Sequence, residues 1–130
     1  DGAAAVINDG TGSLSGLTNA AESDLVSLTI DSGGKPIYVS ASINANGGYS
    51  ARDCTVRLKL DGVTQLTKVI SSPGDPSTVG NQWFVTGNLL QYVISAPSSG
   101  TRTIKLTAIG SDAVYGVTID AHLYLEGKKR

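Results

Sequence analysis

The sequence predicts an all-β domain, a jelly-roll-like antiparallel β-sandwich of about eight strands. Three observations carry that expectation. Apolar and polar residues alternate over several short runs, the period of a sheet with one buried face. Turn signals built on Gly, Pro, Asn and Asp separate the runs at spacings of about 8 to 12 residues. The 130 residues include 16 glycines and only 16% are charged, against roughly 25% in an average globular domain. Strands joined by turns suit that composition, whereas long solvent-facing helices carry more Glu, Lys and Arg. No window of about 11 residues holds a sustained helical stripe, and no internal repeat is visible.

Residues 1–23, DGAAAVINDGTGSLSGLTNAAES, are small and polar with scattered apolar residues. They read as a flexible linker or the end of a stalk, in which Val6-Ile7 and Leu14 to Leu17 have the means to add a short strand. The sandwich proper is expected over 24–130. Leu25 to Ile30 is its first strand, with Leu28 and Ile30 on one face. Asp31 to Pro36 is a turn. Ile37 to Ile43 turns Ile37, Val39, Ala41 and Ile43 one way and Tyr38, Ser40 and Ser42 the other. Cys54 to Leu60 repeats this, with Cys54, Val56, Leu58 and Leu60 inward and Thr55, Arg57 and Lys59 in water.

Asp61-Gly62 is a strong two-residue hairpin signal. On the return strand, Val63 to Ile70, the apolar parity switches before Leu66. That requires a bulge near Thr64-Gln65 or a bend between sheets. Ser71 to Asn81 is a long polar loop and Gln82 to Val85 a short strand. Gly87-Asn88 reads as a turn before a strand from Leu89 to Ala96. Pro97 to Gly100 turns into Thr101 to Ile109, with Ile104, Leu106 and Ala108 inward. After Gly110 to Asp112 comes a long last strand, Val114 to Glu126, with Val117, Ile119, Ala121, Leu123 and Leu125 on its inner side.

A chain of this length buries roughly two thirds of the surface it exposes when unfolded, so neither a disulfide nor a metal is needed. Cys54 is the only cysteine, which excludes an intrachain disulfide. It reads as a small buried hydrophobe and fits assembly in a reducing cytoplasm. The net charge of −1 gives no sign of a nucleic-acid partner, and Lys128, Lys129 and Arg130 read as a solubilising end. No apolar run approaches the ~18 residues that span a membrane, so no membrane insertion is expected. No signal peptide is visible. The sequence starts at Asp1 and has no Met, as expected of a piece of a longer chain or a processed product.

Catalysis needs converging titratable groups, and these are scarce. His122 is the only histidine. It shares the outward side of the last strand with Asp120 and Tyr124. Asp-x-His is half a metal site, but zinc takes three or four ligands and Cys54 is expected in the core. A solvated strand face or a subunit interface is the plainer reading. Glu occurs only at Glu22 and Glu126. Asp31, Asp61, Asp75 and Asp112 fall in turns, where Asp bonds its own backbone. There is no G-x-S-x-G, and Asp31-Ser-Gly-Gly-Lys35 lacks the spacing of a phosphate loop. No enzyme activity, catalytic residue, metal or cofactor is therefore expected.

Binding is better supported, because loops on rigid β scaffolds carry recognition. The loop from 44 to 53, NANGGYSARD, sets Tyr and Arg among Gly, Ser and Asn, the mix that binding loops favour. The expected contact residues are Asn44, Asn46, Tyr49 and Arg52 there, and Asp75, Asn81 and Trp83 around the second long loop. Asp112 and Tyr115 before the last strand complete the set.

Three stretches resemble the C-terminal domains of tailed-phage fibre and tail-tip proteins. They are CTVRLKLDG at 54–62, APSSGTRTIKLTA at 96–108, and a final strand ending LYLEGKKR at 123–130. The resemblance implies a homotrimer of jelly rolls, similar to the complement C1q and tumour-necrosis-factor heads, at the end of a fibre in the virion. It implies adsorption to a bacterial outer-membrane protein or surface polysaccharide, and carries no catalytic residues. In such a trimer the surface around Tyr38, Tyr92, Tyr124 and His122 is a candidate wet interface. Two other classes remain open: a carbohydrate-binding module of a secreted protein, with Trp83 and the tyrosines stacking on sugars, and a structural fibre or capsid decoration domain.

Overall fold

The alternation becomes two four-stranded antiparallel sheets with a shared apolar interior. The computed structural model describes residues 5–48, 53–72, 82–95 and 97–128. Its strands are β1 (Ala5–Leu17), β2 (Ser23–Ile30), β3 (Ile37–Gly48), β4 (Asp53–Leu60), β5 (Val63–Ser71), β6 (Gln82–Ile94), β7 (Arg102–Gly110) and β8 (Val117–Lys128). One sheet has the order β1-β8-β3-β6 and the other β2-β7-β4-β5. First pairs with last, second with seventh, third with sixth and fourth with fifth, all antiparallel. A long hairpin of paired strands rolled over on itself gives this order. The fold is the expected eight-stranded jelly roll.

The inward residues read from β3, β4, β7 and β8 form the core. Ile37, Ile43, Val56, Leu58, Ile104, Leu106, Ile119, Leu123 and Leu125 are fully buried. Each such side chain contributes roughly 1.5–3 kcal/mol by leaving water. Cys54 is 0% exposed, and burial pushes its thiol up to about 12. It is a protonated core group at neutral pH.

The β4–β5 hairpin turns at Asp61 (φ 48°) and Gly62 (φ 86°), as two successive left-handed residues require. Leu60 pairs with Val63, Lys59 with Thr64, and Leu58 with Leu66. Gln65 is thus the extra residue of the expected bulge, which restores Leu66 and Ile70 to the inner face. A second bulge, between Asp24 and Val26, lets both Leu25 and Val26 bury.

Three expectations are corrected. Residues 5–17 are not a lead-in: they form β1, a 13-residue strand paired with β8 along its length. Its inward positions include Gly10 and Gly12, so the strand lacks an apolar stripe to announce it. A Cβ on Gly12 would meet the Leu25 carbonyl oxygen at 1.8 Å, and one on Gly10 would meet Leu28 at 2.9 Å. Only glycine lets β1 lie this close to β2. Asn8 Nδ2 donates to the Thr29 carbonyl at 2.8 Å across the same gap. Second, β3 runs on to Gly48, so Asn44 and Asn46 are strand residues and not loop residues. Third, β6 is one strand from Gln82 to Ile94. Gly87 (φ 64°) sits at the register shift opposite Asn44, between Val85 and Asn88, in a bulge and not a turn.

On the outer side of the β2-β7-β4-β5 sheet, charges pair with one another. Glu22 receives Lys59 Nζ at 3.2 Å and Arg57 Nη1 at 3.4 Å, and the buried Thr107 hydroxyl donates to it. Lys105 pairs with Asp24 at 3.1 Å. The Thr107 hydroxyl, more than Lys59 and Arg57, holds the Glu22 carboxyl below its ordinary 4.5. A lowered folded-state value means that the stabilisation is complete above the ordinary value and is lost as pH falls through the lowered one. Glu22→Gln is expected to cost about 1 kcal/mol at pH 7 and less at pH 2, as the carboxyl protonates. Denaturant melts of both proteins at the two pH values measure this.

Candidate functional site

The other outer face, on β1-β8-β3-β6, is where chemically diverse side chains gather. Odd-numbered residues of β1 and even-numbered residues of β3 and β8 point away from the core. The register therefore stacks them in rows across the strands. Asp9, Tyr124, Ser40 and Gln91 form one row, and Thr11, His122, Ser42 and Leu89 the next. Ser13, Asp120 and Asn44 follow. Towards the chain termini lie Ile7, Glu126, Tyr38 and Val93.

Two shallow clefts open on this face. The first, about 470 Å³, is lined by Thr11, Gly12, Ser13, Ser42, Asn44, Asp120, Ala121 and His122. The second, about 390 Å³, is lined by Tyr38, Val39, Ser40, Gln91, Tyr92, Val93 and Tyr124. The first is rich in hydroxyl, amide, carboxylate and imidazole groups, and the second in aromatic and apolar surface.

Both clefts have fixed walls. Asn44 Nδ2 donates to Asp120 Oδ1 at 2.9 Å, and Asn44 Oδ1 accepts the Gly87 N–H at 2.8 Å. The β6 bulge, β3 and β8 are tied together through this one side chain. His122 Nε2 lies 2.7 Å from Asp9 Oδ2, both side chains being about half exposed. The Tyr124 hydroxyl donates to Glu126 at 3.2 Å. Desolvation, then this bond and the Glu126 charge, pushes the phenol up. It stays a neutral donor.

The residues expected to make contacts divide into groups. Asn44 belongs to the first cleft. Asn46 lies beside it on the same face, in a row with Thr118 and the 60% exposed Phe84. Trp83 is corrected: it points inward, is 3% exposed and belongs to the core, because Trp83 and Phe84 take opposite sides of β6. Asp112 is engaged with its own turn, accepting the Val114 and Tyr115 N–H groups at 2.8 and 2.7 Å, which hold its carboxyl down. Tyr115 is 59% exposed on that turn. Tyr49, Arg52, Asp75 and Asn81 lie outside the described residues. Gly48 pairs with Gln82 and Gly47 with Val117.

The residues that sequence reasoning missed are Asp9, Thr11, Ser13 and Ser42. The signal for Ser42 was its parity with Ser40 and Tyr38, and that for His122 was Asp120 and Tyr124 on the same strand side. Nothing local marks β1 as their neighbour. Among the described residues no group of three or more His, Cys, Asp or Glu is placed to share a metal ion, and no helix is long and apolar enough to cross a membrane.

Strand order and register define a jelly-roll β-sandwich, and the comparisons agree on the fold. No protein-family model and no curated sequence matches the chain. A structure of infectious bursal disease virus, Gx strain, is similar at TM-score 0.61 and 14% identity, covering 96% of this chain and 32% of the viral one. The VP2 subviral particle of the same virus gives TM-score 0.52 and 17% identity, over 95% and 33%. PNGF-II gives TM-score 0.58 and 12% identity, over 88% and 26%. The chain thus spans about a third or less of the length of these proteins, and what it shares with them is the jelly roll.

Proposed function

We propose that this domain is a recognition module of a virion, the tip of a phage tail fibre that binds a bacterial surface receptor during adsorption. The carrying observation is the outer face of the β1-β8-β3-β6 sheet. It presents two preformed clefts with donors, acceptors and aromatic surface side by side, while the opposite face is occupied with its own ion pairs. A rigid sheet positions contacts more tightly than a loop does. The turn that carries Asp112 and the exposed Tyr115 stands as a second contact zone. The jelly roll shared with a viral chain, together with the sequence resemblance to fibre tips, supports placement in the virion. A trimer about a fibre axis is part of the proposal. So is a purely binding role.

The test is adsorption of the fluorescently labelled chain to a panel of bacterial strains. Saturable binding to at least one strain, competed by unlabelled protein, is expected. A monomer by sedimentation at micromolar concentration would remove the trimer from the proposal.

A further inference from the structure

The chemistry of the clefts selects among receptors. A sugar ring has two kinds of surface: a rim of hydroxyls, and a flatter face of C–H groups. The rim is held by planar acceptors and amide or hydroxyl donors, which meet adjacent hydroxyls in pairs. The C–H face packs on aromatic carbon. The first cleft supplies the former. Asn44 bonds Asp120 Oδ1, and Oδ2 takes no partner among the described residues. Asn44 keeps a second N–H, and the hydroxyls of Thr11, Ser13 and Ser42 surround them. The second cleft supplies the latter through Tyr38 and Tyr124. The Ser40–Tyr124 row adjoins the Ser42–His122 row, a spacing of roughly 7 Å along the strands, so one oligosaccharide spans both.

Charge narrows the class further. No Lys or Arg occurs in the segments that build the face, residues 7–13, 38–46, 84–93 and 118–126. The carboxylates Asp9, Asp120 and Glu126 stand on it, with His122 as the one basic ring. Uronic acids, sialic acids and phosphorylated sugars would meet like charge on these strands, and Lys68, which donates to the Leu89 carbonyl at 2.6 Å, is engaged at the β6 margin. Extended protein receptors usually find an apolar centre fringed by polar groups; here the polar groups hold the centre, and Phe84, Leu89 and Val93 lie along the β6 margin.

Resting on the recognition reading above, we infer that the cleft between β1, β8 and β3 binds uncharged hexose units of a surface polysaccharide. Asp120 and Asn44 take paired hydroxyls, and Tyr124 and Tyr38 pack against the next ring.

The experiment uses the labelled full chain on a strain that it binds. Cells are treated beforehand with periodate, which cleaves vicinal diols, or with protease. Neutral and uronic-acid polysaccharides serve as competitors. Binding is expected to vanish after periodate, to survive protease, and to be competed only by a neutral polymer. Asp120→Asn keeps the acceptor for Asn44 and removes the charge. It is expected to weaken binding about tenfold, since charge-assisted bonds are roughly twice as strong as neutral ones, with the melting temperature unchanged. Loss after protease alone would overturn the glycan and leave recognition standing. Competition by uronic polymers would overturn the neutral class, and full affinity of Asp120→Asn would overturn the placement. Failure to bind any strain would overturn recognition itself.

Discussion

Gly12→Ala is expected to destabilise the domain by about 3 kcal/mol, the upper part of the range for overpacking, and to lower its melting temperature by on the order of 10 °C. The added Cβ would sit 1.8 Å from the Leu25 carbonyl oxygen and 3.3 Å from Val26 Cβ. The obstacle is backbone, so no side-chain rotation relieves it. Either β1 lifts away from β2 or β2 leaves its register with β7. The exposed Ser15 on the same strand is the control: Ser15→Ala should fall within 0.5 kcal/mol of the parent. Denaturant unfolding of the three proteins measures both differences. A Gly12→Ala protein as stable as the parent would mean that β1 does not approach β2 in this way.

The second large effect concerns the same strand as a whole. A chain beginning at Thr18 loses the pairing along β8 from Val117 to Lys128. It also loses the buried Leu17, the partly buried Val6 and Leu14, and the Asn8 bond to β2. Leu17 alone is worth roughly 1.5–3 kcal/mol, and the whole loss is on the order of 5 kcal/mol. Domains are stable by about 5–15 kcal/mol in total, so the truncated chain is expected to be largely unfolded or aggregated through the exposed β8 edge. A flexible lead-in would be removed without consequence, and a cooperative melt at the parent temperature would show that. Far-ultraviolet circular dichroism through a thermal ramp distinguishes the outcomes.

The contrast between β1 and β8 shows what was legible in the sequence and what was not. In β8, five inward positions from Val117 to Leu125 are all apolar, so alternation announces the strand and its buried side. In β1 the corresponding positions hold Asn8, Gly10 and Gly12, chosen by a close approach to β2 and not by water avoidance. Composition then mimics a linker. The β6 reading failed for a related reason: the bulge at Gly87 resets the parity, so Phe84 and Leu89 face the same side although their numbers differ by five. A lone Gly-Asn inside a strand reads as a turn until its partner Asn44 is known.

The site was legible in fragments. Asp120, His122 and Tyr124 on one side of β8, and Tyr38, Ser40 and Ser42 on one side of β3, follow from period 2 alone. What joins them is pairing between distant segments, as with His122 and Asp9, 113 positions apart. Local pattern carries no such information. Attention to loop composition instead favoured Asn44 and Asn46 as loop residues and Trp83 as a contact. The first two proved to lie on the sheet face, and the last is in the core.

The central claim is that recognition uses the β1-β8-β3-β6 face. Two substitutions on exposed strand serines test it: Ser42→Arg within the first cleft, and Ser27→Arg on the opposite outer face, opposite Lys105. Both add the same bulk and charge to a strand surface, so equal melting temperatures confirm equal folding. In cell-binding titrations, Ser42→Arg is predicted to lose at least tenfold in affinity while Ser27→Arg binds as the parent does. Unchanged binding by Ser42→Arg, or a loss confined to Ser27→Arg, would contradict the assignment of that face.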